Sequence, residues 1–168
     1  MTTSLLKDAF AHHIWATDRL FEVCAALPRE QLLVETPGTY GPIIATLGHL
    51  VASDSWYLTF HGDGPAPTID ESTSLAEMRS VMQDNGVAWM ELLAGEVDPE
   101  KDIAERGEGW EFHAPLGFRL AQVIHHGTDH RSQVCTALTS LGLKPPEIDV
   151  WAYGEATGRT RETQEPPA

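Results

Sequence analysis

The chain predicts an all-α fold: a four-helix bundle with a small hairpin-like insertion before its last long helix and a short C-terminal helix. Three observations carry that prediction. Four long stretches place apolar residues at three- and four-residue steps, the period of one face of a helix. Proline and glycine gather mainly between those stretches. One short segment, 103–113, changes to alternation about a Gly-rich turn, as a small hairpin would.

The first helix is expected over residues 5–27. Leu6, Phe10, His13, Ile14, Thr17, Leu20, Phe21 and Cys24 form its stripe, and Pro28 stops it. A Pro- and Gly-rich link leads to Pro42, which suits a first helical position because its missing N–H costs nothing there. The second helix then runs to about Phe60 and ends at His61-Gly-Asp-Gly-Pro. Ser74, with Glu77 three residues on, predicts a capping box at the start of the third helix, which continues to Gly95. The fourth spans about 116–141, with Leu120, Val123, Gly127, His130, Val134, Ala137 and Leu141 as its seam. Residues 147–154 form the short terminal helix. The domain is therefore expected over 1–157, with a polar, disordered tail over 158–168. The links after the first and third helices are long enough for crossovers, but periodicity alone leaves the topology open.

Composition excludes several functions. A length of 168 residues suits one domain with a proper core, and no apolar run approaches the ~20 residues that span a bilayer. The start, Met-Thr-Thr-Ser-Leu-Leu-Lys-Asp, has no secretory pattern, so a cytoplasmic location is expected. A net charge of −14 repels phosphate backbones and anionic lipids, which makes nucleic acid and membrane poor partners. Cys24 and Cys135 sit in helical patterns and read as free, inert thiols.

Histidine is the unusual component, with eight residues, three of them in one six-residue window. His126 and His130 are four apart, which on a helix puts both rings on one face about a turn apart. Such pairs grip one divalent cation in helical zinc sites. The third ligand is expected from another helix, at His49, which stands among small residues with Thr46, Ser53 and Trp56 on roughly its face. A lone histidine there would more often be a core residue bonded across the bundle; beside the pair, the ligand reading is favoured. Three histidines with an open position define a catalytic geometry rather than a closed structural one. Asp54 and Asp129 are the short carboxylates expected to brace ligand rings by their second N–H. Trp56 is the expected wall of the cavity, and Ser53, His13 and His125 are further candidates for the pocket. For His13 ordinary packing is the stronger reading, and for His125 a solvent-side position. Arg131 is expected to bond an acidic neighbour, Gln133 to be structural, and His61 to suit a helix end as a cation.

Three segments resemble the DinB/YfiT superfamily: Gly48-His49-Leu50 followed by Asp54 and Trp56; His126-Gly-Thr-Asp-His130-Arg-Ser-Gln133; and the opening helix around Trp15 and Asp18. The resemblance covers the chain to about Tyr153 and departs at His125, where relatives often carry Asn. It implies a four-helix bundle of up-up-down-down topology holding a divalent metal, zinc or nickel, on the counterparts of His49, His126 and His130. Members of that superfamily include thiol transferases and isomerases using mycothiol or bacillithiol, and proteins described as metal hydrolases. The expected function is thus a metal-dependent thiol transferase, isomerase or hydrolase acting on small electrophiles, with mycothiol or bacillithiol as co-substrate and a homodimer as the assembly. The alternative is a non-catalytic metal-binding stress-response bundle, and the plainest reading is a bundle whose histidines bind nothing.

Overall fold

A computed structural model describes residues 5–61 and 64–163. In chain order the elements are α1 Leu5–Ala25, α2 Arg29–Leu32, α3 Ile43–Leu58, α4 Leu75–Leu92, β1 Asp102–Gly107, β2 Trp110–Pro115, α5 Leu116–Ser140 and α6 Val150–Thr157. The four long helices fall where the apolar stripes put them, and the two strands pair antiparallel about a tight turn, Gly107 opposite Trp110. Gly109 takes φ +78°, a conformation open to glycine at little cost. The one-turn helix α2 falls in the first link, where no periodicity announced it.

Local chemistry sets the helix ends. Ser74 Oγ accepts from the Glu77 N–H at 3.2 Å, while Glu77 Oε2 accepts from the Ser74 N–H at 2.8 Å, which completes the capping box. Asp149 Oδ1 accepts from the Ala152 N–H at 2.8 Å to open α6, and Gly158 closes it at φ +69°. At the start of the segment expected as a tail, the Arg159 and Thr160 N–H groups donate to the Gly154 carbonyl, and Arg159 Nη2 donates to Asp8 at 2.6 Å. A capped terminus tied to α1 is not a loose one. Residues 164–168 lie outside the described residues, as do Gly62 and Asp63 of the predicted stop after α3.

The long helices pack in a ring, α1 on α4, α4 on α3, α3 on α5 and α5 on α1. Residue pairs give their directions. Asp18 meets Arg79 and Phe10 meets Trp89, so α1 and α4 are antiparallel. Gly48 lies against Met78 and Ser55 bonds Asn85, so α3 runs parallel to α4. His49 faces His126 and His130 while Phe60 packs on Arg119, so α5 opposes α3. The order is up-down-down-up, which corrects the up-up-down-down expectation. The crossover lies between α3 and α4, not after the first or third long helix. Residues 64–74 run back along the bundle: Gly64 and Pro65 share a cavity wall with Leu58 and Thr59, and Ile69 passes within van der Waals reach of a Cβ at Gly48. Link length misled because the other two links spend their residues on α2 and on the hairpin.

Two apolar clusters fill the interior. One gathers Leu20, Phe21, Leu47, Leu50, Val51, Met78, Met82, Val134 and Leu138; the other gathers Phe10, Trp89, Leu93, Ile103, Leu116, Leu120 and Val123. Between them every long helix contributes a polar or glycine step: His13 and Thr17 of α1, Asp54 and Ser55 of α3, Asn85 of α4, and Gly127, His130 and Arg131 of α5. A polar layer so enclosed depends on internal partners, because apolar layers on both sides keep water away.

Both cysteines are free, and burial pushes the Cys24 thiol up to about 12 and raises that of Cys135, as inert thiols require. Among the described residues no helix is long and apolar enough to cross a membrane.

At the edge of the α1–α4 contact, Arg79 Nε and Nη2 donate to Asp18 at 2.6 and 2.7 Å. The Arg79 guanidinium holds the Asp18 carboxyl below the usual carboxylate range. A depressed folded pKa contributes stability above the unfolded value, and that contribution is lost as pH falls through the folded one. Asp18→Asn is therefore expected to cost under about 1 kcal/mol at neutral pH, since both partners are partly solvated. Urea melts of the two proteins should converge as pH falls through the depressed folded pKa; a gap that persists in stronger acid would mean the loss is packing rather than charge.

Candidate metal centre

α3 brings His49 to α5, where His126 and His130 project one turn apart toward it. His49 Nε2 and His126 Nε2 are 3.0 Å apart, and one ligand atom from each of the three residues lies within 4.8 Å of the others. His130 is buried and the other two are half-buried. Two ring nitrogens at that separation are close enough for one ion with Zn–N bonds of about 2.0–2.1 Å to touch both.

Burial and neighbouring rings disfavour the charged form of His49 and His126. Burial, then the neighbouring His130 and His49, lowers the His126 pKa to about 4. Burial, then His130, lowers that of His49. Neutral imidazole is the form that ligates a cation, and three of them suit zinc, nickel, iron or copper.

Each ring has its own surroundings. His130 Nδ1 bonds Gln133 Oε1 at 3.1 Å, and that oxygen also accepts the Tyr40 backbone N–H at 2.9 Å. An amide oxygen accepts only, so His130 carries its proton on Nδ1 and leaves Nε2 free. Tyr40 in turn stacks on His49, with ring centroids 4.2 Å apart and planes 14° from parallel, and presents an edge to His130 at 5.4 Å. Among the described residues His126 Nδ1 is buried without a hydrogen-bond partner, and so is Asp54 Oδ1. Tyr40 was not foreseen, because it lies in the aperiodic Thr39-Tyr-Gly-Pro42 link. Gln133 had a visible signal, three residues past His130 on the same face, but was read as structural only.

The other expected residues fall as follows. Asp129 and His125 are exposed, and the brace on His130 is Gln133 rather than Asp129. Asp54 is fully enclosed, and its Oδ2 accepts from His13 Nε2 at 2.8 Å and Trp89 Nε1 at 3.3 Å, so in this state it holds no ligand ring. His13 is fully buried in that network instead of lining an open pocket. Arg131 donates to His13 Nδ1 at 2.6 Å and to Thr17 and Thr128, where an acidic partner was expected. Trp56 shares the His49 face but lies two turns on, roughly 10 Å along the axis; it is 39% exposed and packs its ring on Tyr57 and Phe60. A cavity of about 310 Å³ borders His49, lined by Tyr40, Ile44, Gly48, Ala52, Ile69 and Met78 among others, without Trp56 or the half-buried Ser53. His61 is partly buried, and burial, then Lys101 and Arg119, lowers its pKa, which works against the cationic role expected at the helix end.

The family model described as "DinB family" matches residues 1–165. The protein named Protein DinB from Bacillus subtilis (strain 168) is 23% identical over 160 residues, covering 86% of this chain and 90% of its own.

Proposed function

The chain belongs to the DinB family, and on that premise we propose that His49, His126 and His130 hold one divalent cation in a metal-dependent transferase or hydrolase of small electrophiles. The observation that carries the reading is the convergence of three imidazoles, two of them with lowered pKa, beside a cavity. A cation held by three neutral ligands keeps its charge, and so lowers the pKa of a thiol or water beside it. The protein's own part is positioning. Gln133 fixes the His130 tautomer and the position of the Tyr40 backbone, and Tyr40 covers one face of His49. The cavity, apolar along Ile44, Ile69 and Met78, suits the body of a small electrophile. Zinc or nickel is the expected metal, and mycothiol or bacillithiol the expected thiol.

Gently purified protein should contain close to one equivalent of metal. A chelator should lower its melting temperature, because a ligand bound only by the native state at 100 times its Kd stabilises by about 2.7 kcal/mol. Turnover of a bromobimane-type electrophile with a low-molecular-weight thiol and added zinc or nickel would then support the enzyme. Metal bound without turnover across thiols and esters would establish a binding-only bundle, and absence of both metal and a chelator response would sink the centre itself.

A further inference from the structure

We infer that His13 is a positioning residue for the metal centre, relaying the hold of Arg131 through Asp54 to the unpartnered Nδ1 of His126. The inference rests on the metal-centre reading and goes beyond it, since His13 and Arg131 are not ligands.

The chain of contacts has one chemically allowed direction. A guanidinium only donates, so the 2.6 Å contact from Arg131 Nη1 makes His13 Nδ1 an acceptor and leaves its proton on Nε2. Nε2–H then donates to Asp54 Oδ2 at 2.8 Å. His13 is thereby a neutral bridge between a buried cation and a buried carboxylate. Trp89 Nε1 adds a second donor to Oδ2 and Thr17 Oγ1 a further acceptor for Arg131, so both ends are held. The network behind His126 is at least nine-tenths buried: His13, Thr17, Asp54, Trp89 and Arg131 are each at most 3% exposed.

Asp54's side-chain partners gather on Oδ2, and among the described residues Oδ1 has no partner, nor has His126 Nδ1. His13 links the neighbourhoods of the two residues. His13 lies against Gly127, the residue after His126, so closely that a Cβ there would sit 2.3 Å from its Cε1. Asp54 is one hydrogen bond beyond that ring, and its charge opposes the downward shift at His126. A buried carboxylate oxygen and a buried imidazole nitrogen, each lacking a partner, both gain by pairing. When His126 Nε2 takes a cation, its proton must reside on Nδ1, which supplies the donor that Oδ1 lacks. Metal-bound histidines are commonly braced in this way through the second nitrogen. Here the brace is itself held from behind, because without His13 the carboxylate would lose its main donor and could turn.

The test uses the full chain and zinc alone, titrated against a chromophoric chelator. His13→Phe keeps a ring but offers no polar atom, and should weaken zinc binding roughly 10- to 100-fold. His13→Gln, whose amide can accept from Arg131 and donate to Asp54, should recover most of the affinity. A folded His13→Phe that binds zinc as tightly as wild type would overturn the inference while leaving the centre intact. A wild-type chain that binds no zinc would overturn the centre, and the relay with it. Should His13→Phe not fold, nitrogen-15 spectra of the wild type decide. The proton of His13 on Nε2, with His126 protonated on Nδ1 once zinc is bound, supports the relay. His13 protonated on Nδ1, or zinc held through His126 Nδ1, overturns it.

Discussion

Gly127→Ala is expected to lower the melting temperature by roughly 6–12 °C, although alanine is the better helix former. In a solvent-facing helix interior the change would stabilise by about 1 kcal/mol. Here the new Cβ would lie 2.3 Å from His13 Cε1, 2.5 Å from His13 Nδ1 and 2.8 Å from Arg131 Nη1. Carbon atoms pack at about 3.5–4.0 Å, so the ring must move. It cannot move freely, because Arg131 and Asp54 hold it from both sides. Overpacking of about 1–3 kcal/mol adds to the loss of a buried charged network, where breaking a pair costs about 3–5 kcal/mol. After partial relaxation a net loss of about 3 kcal/mol remains, and each kcal/mol is worth about 2–4 °C in a domain of this size. Circular-dichroism melts check the sign. The penalty should also shrink in a His13→Ala background, where the obstructing ring is gone. A Gly127→Ala protein as stable as wild type would show that the α1–α5 contact is looser than the structure has it.

The second large effect concerns the metal. His126→Ala should reduce zinc affinity by more than about 100-fold, beyond the range for loss of a mere brace, and make the melt indifferent to chelator. Without metal the variant should be close to wild type. It loses a half-buried ring, but also a buried nitrogen with no partner and a group that resists protonation beside two other imidazoles. His125→Ala is the control, since that side chain is exposed one position away. Equal loss in the two variants would point to helix damage rather than ligation. Loss in neither would remove His126 from the centre. Competition titrations and bound-metal content separate these cases.

The sequence carried more about the helices than about what lies between them. Periodicity located α1, α3, α4 and α5, and capping chemistry at Ser74 marked the start of α4, because these signals arise within a turn or two of chain. The ligand cluster was legible for a similar reason. His126 and His130 share a face by spacing alone, and His49 stood out as an imidazole among small residues. Tyr40 was not legible, because a loop residue's direction is set by whatever the loop packs on; here that is the Gln133 amide and the face of His49. Asp129 was misread as a brace because chain proximity to His130 says nothing about which way a carboxylate faces.

By itself, then, the sequence determined four amphipathic rods, a hairpin insertion and three candidate ligands, all consequences of repeat spacing and short-range capping. Only the tertiary structure decided the up-down-down-up order, the polar layer between two apolar clusters, and the enclosure of His13 and Asp54 in a buried hydrogen-bonded network with Arg131. These depend on partners 41 and 118 residues apart in the chain, Asp54 and Arg131 about His13. Such pairings are fixed by which helices neighbour one another and in which direction, and no local pattern of residues encodes that choice.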